Sequence, residues 1–264
     1  MTARYPAALP LLALLLVLLF TGWVYWPGQS GPALLDDQSS VMVIADLKAQ
    51  PELAWDAIAG DKSGPLGRPV SMVSFVLEKL YLDGGLATSK RINILLHLLN
   101  GALVVWLFWL LFRHISVPAY RWLALALGAV WLLSPLLVST VLYVVQRMAI
   151  LSTGFMLLAT ISYIYWRGAL ARGQFAGRLL LCLLLGFALA LFAKENAIVL
   201  VPVLLLTEAL WFQFEDQQGR TIVWLQRLTI GLIALGGIGL LAVFILQYDA
   251  LAGALKHRYF TLDE

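Results

Sequence analysis

The sequence predicts an all-α polytopic membrane protein with about seven transmembrane helices and a long first extracytoplasmic loop that carries short interfacial helices. Of the 264 residues, 61% are hydrophobic and only 12% are charged, which is about half the charged fraction of a typical soluble domain. The hydrophobic residues fall into runs of helical length, and about 20 apolar residues in a helix cross a bilayer core. This composition excludes a soluble globular protein. We expect one transmembrane domain over residues 1–264.

The first apolar run, residues 7–26, is predicted to be an uncleaved transmembrane span. Its helix would rise about 30 Å, which is one hydrocarbon thickness. Arg4 precedes the run, and Trp23, Tyr25 and Trp26 close it, as aromatic rings do at a membrane interface. A cleaved signal peptide is the alternative, but the run is too long for one and no A-x-A cleavage site follows it.

Residues 27–90 form the only long polar stretch and are predicted to be the first outer loop. They hold eight of the fifteen acidic residues of the chain. Short helices are expected near residues 39–49 and 52–59, and Pro51 separates them because proline cannot continue a helix from within. The acidic composition indicates a solvated loop that lies outside the bilayer.

The second half of this loop is predicted to contain an amphipathic helix. Gly, Pro and Arg residues at 64–69 are typical of a turn, and Pro69 suits the first turn of the helix that follows, at about 70–82. We expect this helix to lie on the membrane surface rather than to cross it. Its apolar face is predicted to consist of Val73, Val76, Leu77 and Leu80.

Six further spans are predicted, at about 91–112, 122–137, 149–166, 179–193, 197–214 and 228–248. With seven spans the two termini lie on opposite sides of the membrane. Short loops rich in arginine then share a side with the N-terminus, which the positive-inside rule assigns to the cytoplasm. These arginines are Arg113 and Arg121, then Arg167, Arg172 and Arg178, then Arg220 and Arg227. The outer loop and the loops near residues 147 and 194 face outward together.

Several other features restrict the function. The net charge of +3 is small and the basic residues do not cluster, which gives no indication of nucleic-acid binding. Cys182 lies in an apolar run, and as the single cysteine it forms no internal disulfide. His97 is predicted to be a packing residue rather than a metal ligand. The sequence has no Cys/His metal spacing, Gly-rich phosphate loop or nucleophile elbow.

Ionisable residues on the predicted outward face are the candidates for chemistry. A charge costs about 2.5–3.5 kcal/mol at the centre of a membrane helix, so charges kept near spans suggest function. Cations on this face would hold a phosphate, and a carboxylate would take a proton from a hydroxyl or bind Mg²⁺ or Mn²⁺. The alternatives to a functional role are that these charges are solvated surface residues, that they anchor a helix at the headgroups, or that they form a simple hairpin between spans. The candidates are Asp36, Asp37, Arg68, Arg147, Lys194 and Glu195.

An ordered set of segments resembles the GT-C superfamily of polyprenyl-phosphate-sugar glycosyltransferases. It is most similar to bacterial relatives of the tetratricopeptide-containing protein O-mannosyltransferases. The resemblance runs from about residue 26 to about residue 214 and depends on the order and spacing of the segments. They are Leu35-Asp36-Asp37, Gly67-Arg68-Pro69-Val70-Ser71, Asn93-Ile94-Leu95-Leu96-His97, Ser134-Pro135, Tyr143-Val144-Val145-Gln146-Arg147-Met148 and Phe192-Ala193-Lys194-Glu195-Asn196.

The resemblance implies a lipid-linked sugar donor, an acceptor on the extracytoplasmic side, expected to be protein, and inverting transfer of a hexosyl or pentosyl group. It implies a multi-pass protein of the bacterial inner membrane with its active face toward the periplasm. Asp36 or Asp37 would be the catalytic base or the ligand of a Mg²⁺ or Mn²⁺ ion. The residues implied to bind the substrate, chiefly the donor phosphate, are Arg68, Arg147, Lys194 and Glu195.

The chain departs from the family pattern in two places. Members of the family continue with more spans, and often a helical-repeat domain, so we expect this chain to be the N-terminal portion. Ser134-Pro135 also stands where many relatives have His-Pro. A non-catalytic scaffold or lipid-linked-precursor binding protein of the same fold is therefore the alternative function. A transporter is disfavoured because its ionisable groups would be expected at mid-membrane.

Overall fold

The computed structural model describes residues 8–34, 37, 47–61, 64, 66–82 and 85–260. All regular structure in these residues is helical, with one isolated bridge between Glu215 and Thr221. The chain divides into two compact units, Met1–Thr207 and Glu208–Glu264. The described helices are α1 (Ala8–Tyr25), α2 (Ala54–Ala59), α3 (Pro69–Tyr81), α4 (Leu86–His114), α5 (Tyr120–Leu132), α6 (Val138–Leu142), α7 (Arg147–Ala171), α8 (Gly177–Ala193), α9 (Leu200–Thr207) and α10 (Val223–Phe260).

The prediction of a helical multi-pass membrane protein is confirmed in its coarse form. Within the described residues, four helical segments are long and apolar enough to cross a membrane, and a bent pair of helices adds a fifth. Gly177–Ala193 is a further apolar helix of 17 residues, and the apolar segment Val223–Gly239 is the first part of the 38-residue helix α10. Seven spans therefore remain a prediction. The four long segments are Ala8–Ser30, Leu86–His114, Val144–Ala171 and Glu195–Phe212.

The bent pair falls where one continuous span was predicted at 122–137. Helix α5 ends at Leu132, and the chain bends by 47° before the helical segment Pro135–Leu142. Pro135 cannot donate a backbone hydrogen bond, and its ring disfavours a helical residue before it, so the helix stops there. The freed carbonyl of Leu132 is 3.0 Å from Nε2 of His97. The imidazole of His97 thus gives this carbonyl the hydrogen-bond partner that it lacks where the helix is interrupted.

Helices α4 and α5 approach closely at two glycines. A methyl group on Gly101 would overlap the side chain of Leu132, and one on Gly128 would overlap Val105. Small residues let membrane helices pack backbone to backbone. His97 lies in the same region, with its ring 5.0 Å from the ring of Trp131. These contacts agree with the packing role that was predicted for this histidine.

The described part of the outer loop contains two of the predicted helices. A turn at Pro51–Leu53 leads into α2, and α3 begins at Pro69, in agreement with the proline signals. The helix predicted at 39–49 lies outside the described residues except for its last three positions. The turn at 64–69 is described only in part.

Helix α3 has a buried apolar face that the sequence analysis did not identify. Val76 is buried, but Val73 and Leu77 are 39% and 50% exposed. The buried face instead centres on Met72 and Phe75, which pack in one cluster with Val144 and Met148. Helix α3 therefore packs one apolar side on protein and leaves Val73 and Leu77, from the predicted face, exposed. Periodicity alone cannot rank two apolar faces on one helix.

The second unit begins with a π-helical turn, Glu208–Phe212, and continues through a tight polar turn into α10. In that turn Oδ1 of Asp216 accepts hydrogen bonds from the backbone N–H of Gln218 at 2.8 Å and of Arg220 at 2.9 Å. These bonds, led by the one from Arg220, hold the pKa of Asp216 below its ordinary value.

Candidate functional site

The predicted outward residues meet around one short stretch, which we call the Val144–Met148 segment. Val144–Gln146 form a single 3₁₀ turn and Arg147 begins α7. Val144, Arg147 and Met148 are at most 1% exposed. Each candidate residue that the structure describes belongs to this segment, contacts it, or contacts a residue that does. These candidate residues therefore lie close together in the structure.

Asp37 lies against the start of this segment and is fully buried. Its Oδ1 accepts a 2.8 Å hydrogen bond from the backbone N–H of Val145. Its Oδ2 accepts longer bonds from the N–H groups of Val144, at 3.4 Å, and Leu34, at 3.1 Å. The first N–H groups of a helix lack intrahelical partners and favour a negative charge. Asp37 therefore caps the helical entry to α7. The neighbouring Asp36 lies outside the described residues.

Lys90 holds the other side of the same loop and was not predicted from the sequence. It is 2% exposed, and its Nζ donates to the carbonyl oxygens of Gly31 at 2.8 Å and Pro32 at 2.9 Å. Its charge also attracts that of Asp37. A lysine at the start of a span usually anchors at the headgroups, so the sequence carried no signal for this contact.

Arg147 is enclosed by protein groups. Its Nη2 lies 2.5 Å from Oε2 of Glu78 and donates to the carbonyl of Ser89 at 3.0 Å. Its Nε donates to Oδ1 of Asn93 at 2.9 Å, and the guanidinium carbon is 4.3 Å from the ring centroid of Phe75. Glu78, also a buried residue, supplies the compensating charge and was not predicted. A buried ion pair with these hydrogen bonds fixes α3 and α4 against α7.

Arg68 and Glu195 form a bidentate ion pair between the outer loop and the turn after α8. Nε of Arg68 is 3.0 Å from Oε2 of Glu195, and Nη2 is 2.7 Å from Oε1. The side chains are 15% and 34% exposed, so both remain partly accessible to solvent. Nη1 of Arg68 also approaches Sδ of Met148 at 3.4 Å. Gly64 permits this arrangement, because a Cβ there would stand 2.8 Å from the Glu195 carboxylate.

Lys194 completes the exposed part of the site. It is half-buried, and its Nζ donates to Oε1 of Gln146 at 3.3 Å. Burial lowers the pKa of this amine, the nearby charge of Arg68 lowers it further, and the carboxylate of Glu195 opposes both effects. Arg68 and Lys194 thus place two positive charges near the single carboxylate of Glu195, which gives this part of the site a net positive charge.

The site divides into an enclosed part and an open part. Asp37, Arg147 and Lys90 are enclosed and bind protein groups. Arg68, Lys194 and Glu195 are partly exposed, and their excess positive charge suits an anion such as a phosphate. The catalytic and substrate-binding roles predicted for these residues stay predictions.

The residues around Asp37 do not fit a metal ion. Both of its oxygens accept hydrogen bonds from backbone N–H groups, and such donors repel a cation. Across the part of the chain that the structure describes, no group of three or more His, Cys, Asp or Glu side chains is placed to hold a metal. A Mg²⁺ or Mn²⁺ ion at Asp36 stays a prediction outside the described residues.

Comparison of the chain with protein-family models, with curated proteins and with solved structures finds no match. The functional assignment therefore depends on the chemistry of the site and on the order of its motifs.

Proposed function

We propose that this chain is a GT-C type membrane glycosyltransferase, or the N-terminal part of one. It would transfer a hexosyl or pentosyl group from a polyprenyl-phosphate donor to an extracytoplasmic acceptor, with protein as the expected acceptor. The observation that supports this best is the meeting of Arg68, Lys194 and Glu195 at one partly exposed position. Arg68 and Glu195 lie 127 positions apart in the chain. Such a cluster beside membrane spans suits a lipid-linked phosphate.

The proposed topology has seven spans, with the N-terminus in the cytoplasm and the site at the periplasmic face of a bacterial inner membrane. It requires Gly177–Ala193 and the apolar part of α10 to cross the bilayer as well. Gly177–Ala193 has 17 residues and would rise about 25 Å, near the lower limit for a span. The arginine-rich loops support this orientation through the positive-inside rule.

The proposed chemistry assigns the phosphate of the donor to two partly exposed cations, Arg68 and Lys194. When the bond between the sugar and the phosphate oxygen breaks, negative charge develops on the phosphate, and Arg68 and Lys194 would stabilise it. The acceptor hydroxyl forms the new bond to the sugar and gives up its proton to a carboxylate. We assign that role to Asp36, because both oxygens of Asp37 are already used by backbone N–H groups. Asp37 would then position the loop.

The second candidate is a non-catalytic scaffold that binds a lipid-linked precursor. The enclosure of Asp37 and Arg147 favours it, because a scaffold needs these residues only to hold its helices together. Both candidates use the exposed cations, and they differ in whether sugar is transferred.

The enzyme and the scaffold are distinguished by glycan analysis of extracytoplasmic proteins. The cells carry single substitutions in the intact gene. We expect Asp36→Asn to abolish transfer and Lys194→Met to reduce it, with normal amounts of folded protein in the membrane. Asp56→Asn, an exposed acid on the same loop, is the matched control and should leave transfer unchanged. Full glycosylation in Asp36→Asn and Lys194→Met would remove the enzyme proposal and leave the scaffold.

A further inference from the structure

An apolar groove opens between α1, α4 and α5, away from the Val144–Met148 segment. Its volume is about 360 Å³, within the range of roughly 300–1,000 Å³ typical of small-molecule sites. Trp109, which lines it, is 16 residues beyond Asn93 on the same helix, which corresponds to about 24 Å. The groove is therefore a separate feature near the other end of these helices. Its lining includes Pro10, Leu14, Ala102, Trp109, Arg121 and Leu125.

The groove has one charged residue in an otherwise apolar wall, and that residue stands at its mouth. Arg121 is the second residue of α5 and is half-buried. Pro10 is close to the start of α1, and Trp109 is near the end of α4, so all three mark the same end of the helices. From there the groove extends past Leu14 and Leu125 toward mid-membrane.

The cationic character of the mouth is reinforced by a second arginine. Arg113 is exposed, and its guanidinium carbon lies 5.5 Å from the ring centroid of Trp109. Nε of Arg121 donates to the hydroxyl of Tyr120 at 3.2 Å, and its remaining N–H groups can meet a ligand. Two arginines and two aromatic rings surround the entrance to an apolar slot. This pattern matches an ionic head followed by a hydrocarbon tail.

We propose that this groove binds an anionic glycerophospholipid of the membrane. Arg121 would contact the lipid phosphate, Arg113 would add to the attraction, and one acyl chain would occupy the apolar slot. Basic pockets between transmembrane helices commonly hold anionic headgroups, and arginine binds phosphate with two parallel hydrogen bonds. The proposal does not depend on glycosyl transfer, because the groove and its charge lie outside the proposed active site.

Native mass spectrometry of the purified full chain in detergent tests this proposal. The chain is titrated with dioleoyl phosphatidylglycerol or with dioleoyl phosphatidylcholine, which have the same tails and differ in net charge. We expect the wild type to bind phosphatidylglycerol more tightly. Arg121→Gln should lower that affinity roughly fivefold to tenfold and reduce the preference. Arg178→Gln, an exposed arginine outside the groove, should retain it.

A second variant tests the acyl slot without touching the charge. Ala102→Leu would fill the groove from its wall, and we expect it to lower the binding of both lipids. Thermal unfolding of each variant in the same detergent shows whether the fold is intact. The proposal is overturned if Arg121→Gln keeps the wild-type preference, if Arg178→Gln loses it equally, or if Ala102→Leu binds both lipids as the wild type does.

Discussion

The Asp37 carboxylate accepts a 2.8 Å hydrogen bond from the backbone N–H of Val145, 108 positions further along the chain. This contact joins the outer loop to the helical entry of α7, next to the buried Arg147. Because the donors are the unpaired N–H groups at a helix start, the carboxylate compensates both their hydrogen-bonding deficit and their partial positive charge. Asp37 therefore has a structural role that is separate from any role in catalysis.

Replacing Asp37 should destabilise the protein through the loss of this cap. We expect Asp37→Ala to lower the free energy of unfolding by about 1–2 kcal/mol. Asp37→Asn should have a smaller effect, because the amide oxygen can still accept one of the bonds. Equilibrium unfolding in detergent, followed by circular dichroism, measures the change. Asp56→Ala, an exposed acid on α2, is the control and should remain near wild type. Equal stability of Asp37→Ala and wild type would contradict the capping role.

Breaking the buried ion pair of Glu78 and Arg147 should destabilise the protein more than replacing Asp37 does. Glu78→Gln leaves the guanidinium buried without a compensating charge, which is expected to cost about 3–5 kcal/mol. The double variant Glu78→Met with Arg147→Met should recover much of this loss, because two apolar side chains need no charge compensation. Equilibrium unfolding of Glu78→Met, Arg147→Met and the double variant measures the coupling.

The matched control for this pair is an exposed one. Arg220 forms a salt bridge with Asp216 at 3.0 Å, and its side chain is 72% exposed. Arg220→Gln should therefore change stability little, because water and salt screen an exposed pair. A loss in Glu78→Gln no larger than that in Arg220→Gln would show that the buried pair is not energetically coupled.

Local signals allowed much of the fold to be predicted. Apolar runs placed most of the long helices within about five residues, as for 91–112 against the observed Leu86–His114, but α10 continues to Phe260, well past the predicted end at 248. Prolines placed helix starts at Pro51 and Pro69. These features depend on neighbouring residues in the chain, so a sequence contains them directly. The bend before Pro135 was not predicted, because the sequence stays apolar across it although the helix is interrupted there.

The candidate site was predictable as a cluster but not in its internal pairing. The predicted membrane topology would bring residues 37, 68, 147 and 194 to one side, and the structure places them around one segment. Lys90 and Glu78 escaped prediction because their partners are the carbonyls of Gly31 and Pro32 and the guanidinium of Arg147. Such pairings follow from tertiary contacts and leave no periodic or spaced pattern in the sequence.

The proposed orientation can be tested by cysteine accessibility in intact cells. In a Cys182→Ser background, Asp56→Cys should react with a membrane-impermeant maleimide added outside. Phe175→Cys, at a residue that is 95% exposed in the loop after α7, should react only after permeabilisation. Position 37 is unsuitable as a probe because it is buried. The reverse pattern, with residue 175 labelled in intact cells and residue 56 protected, would invert the proposed topology.

Lys194 should titrate below the ordinary value for lysine, since burial and Arg68 both lower its pKa. Glu195→Gln should lower the pKa further, because the carboxylate opposes that shift, and Arg68→Gln should raise it. The folded state then binds this proton more weakly than the unfolded state. Its contribution to the free energy of unfolding therefore increases as pH rises from the folded pKa toward the ordinary value. NMR titration of isotopically methylated Lys194 checks this, and a pKa at the ordinary value for lysine would contradict it.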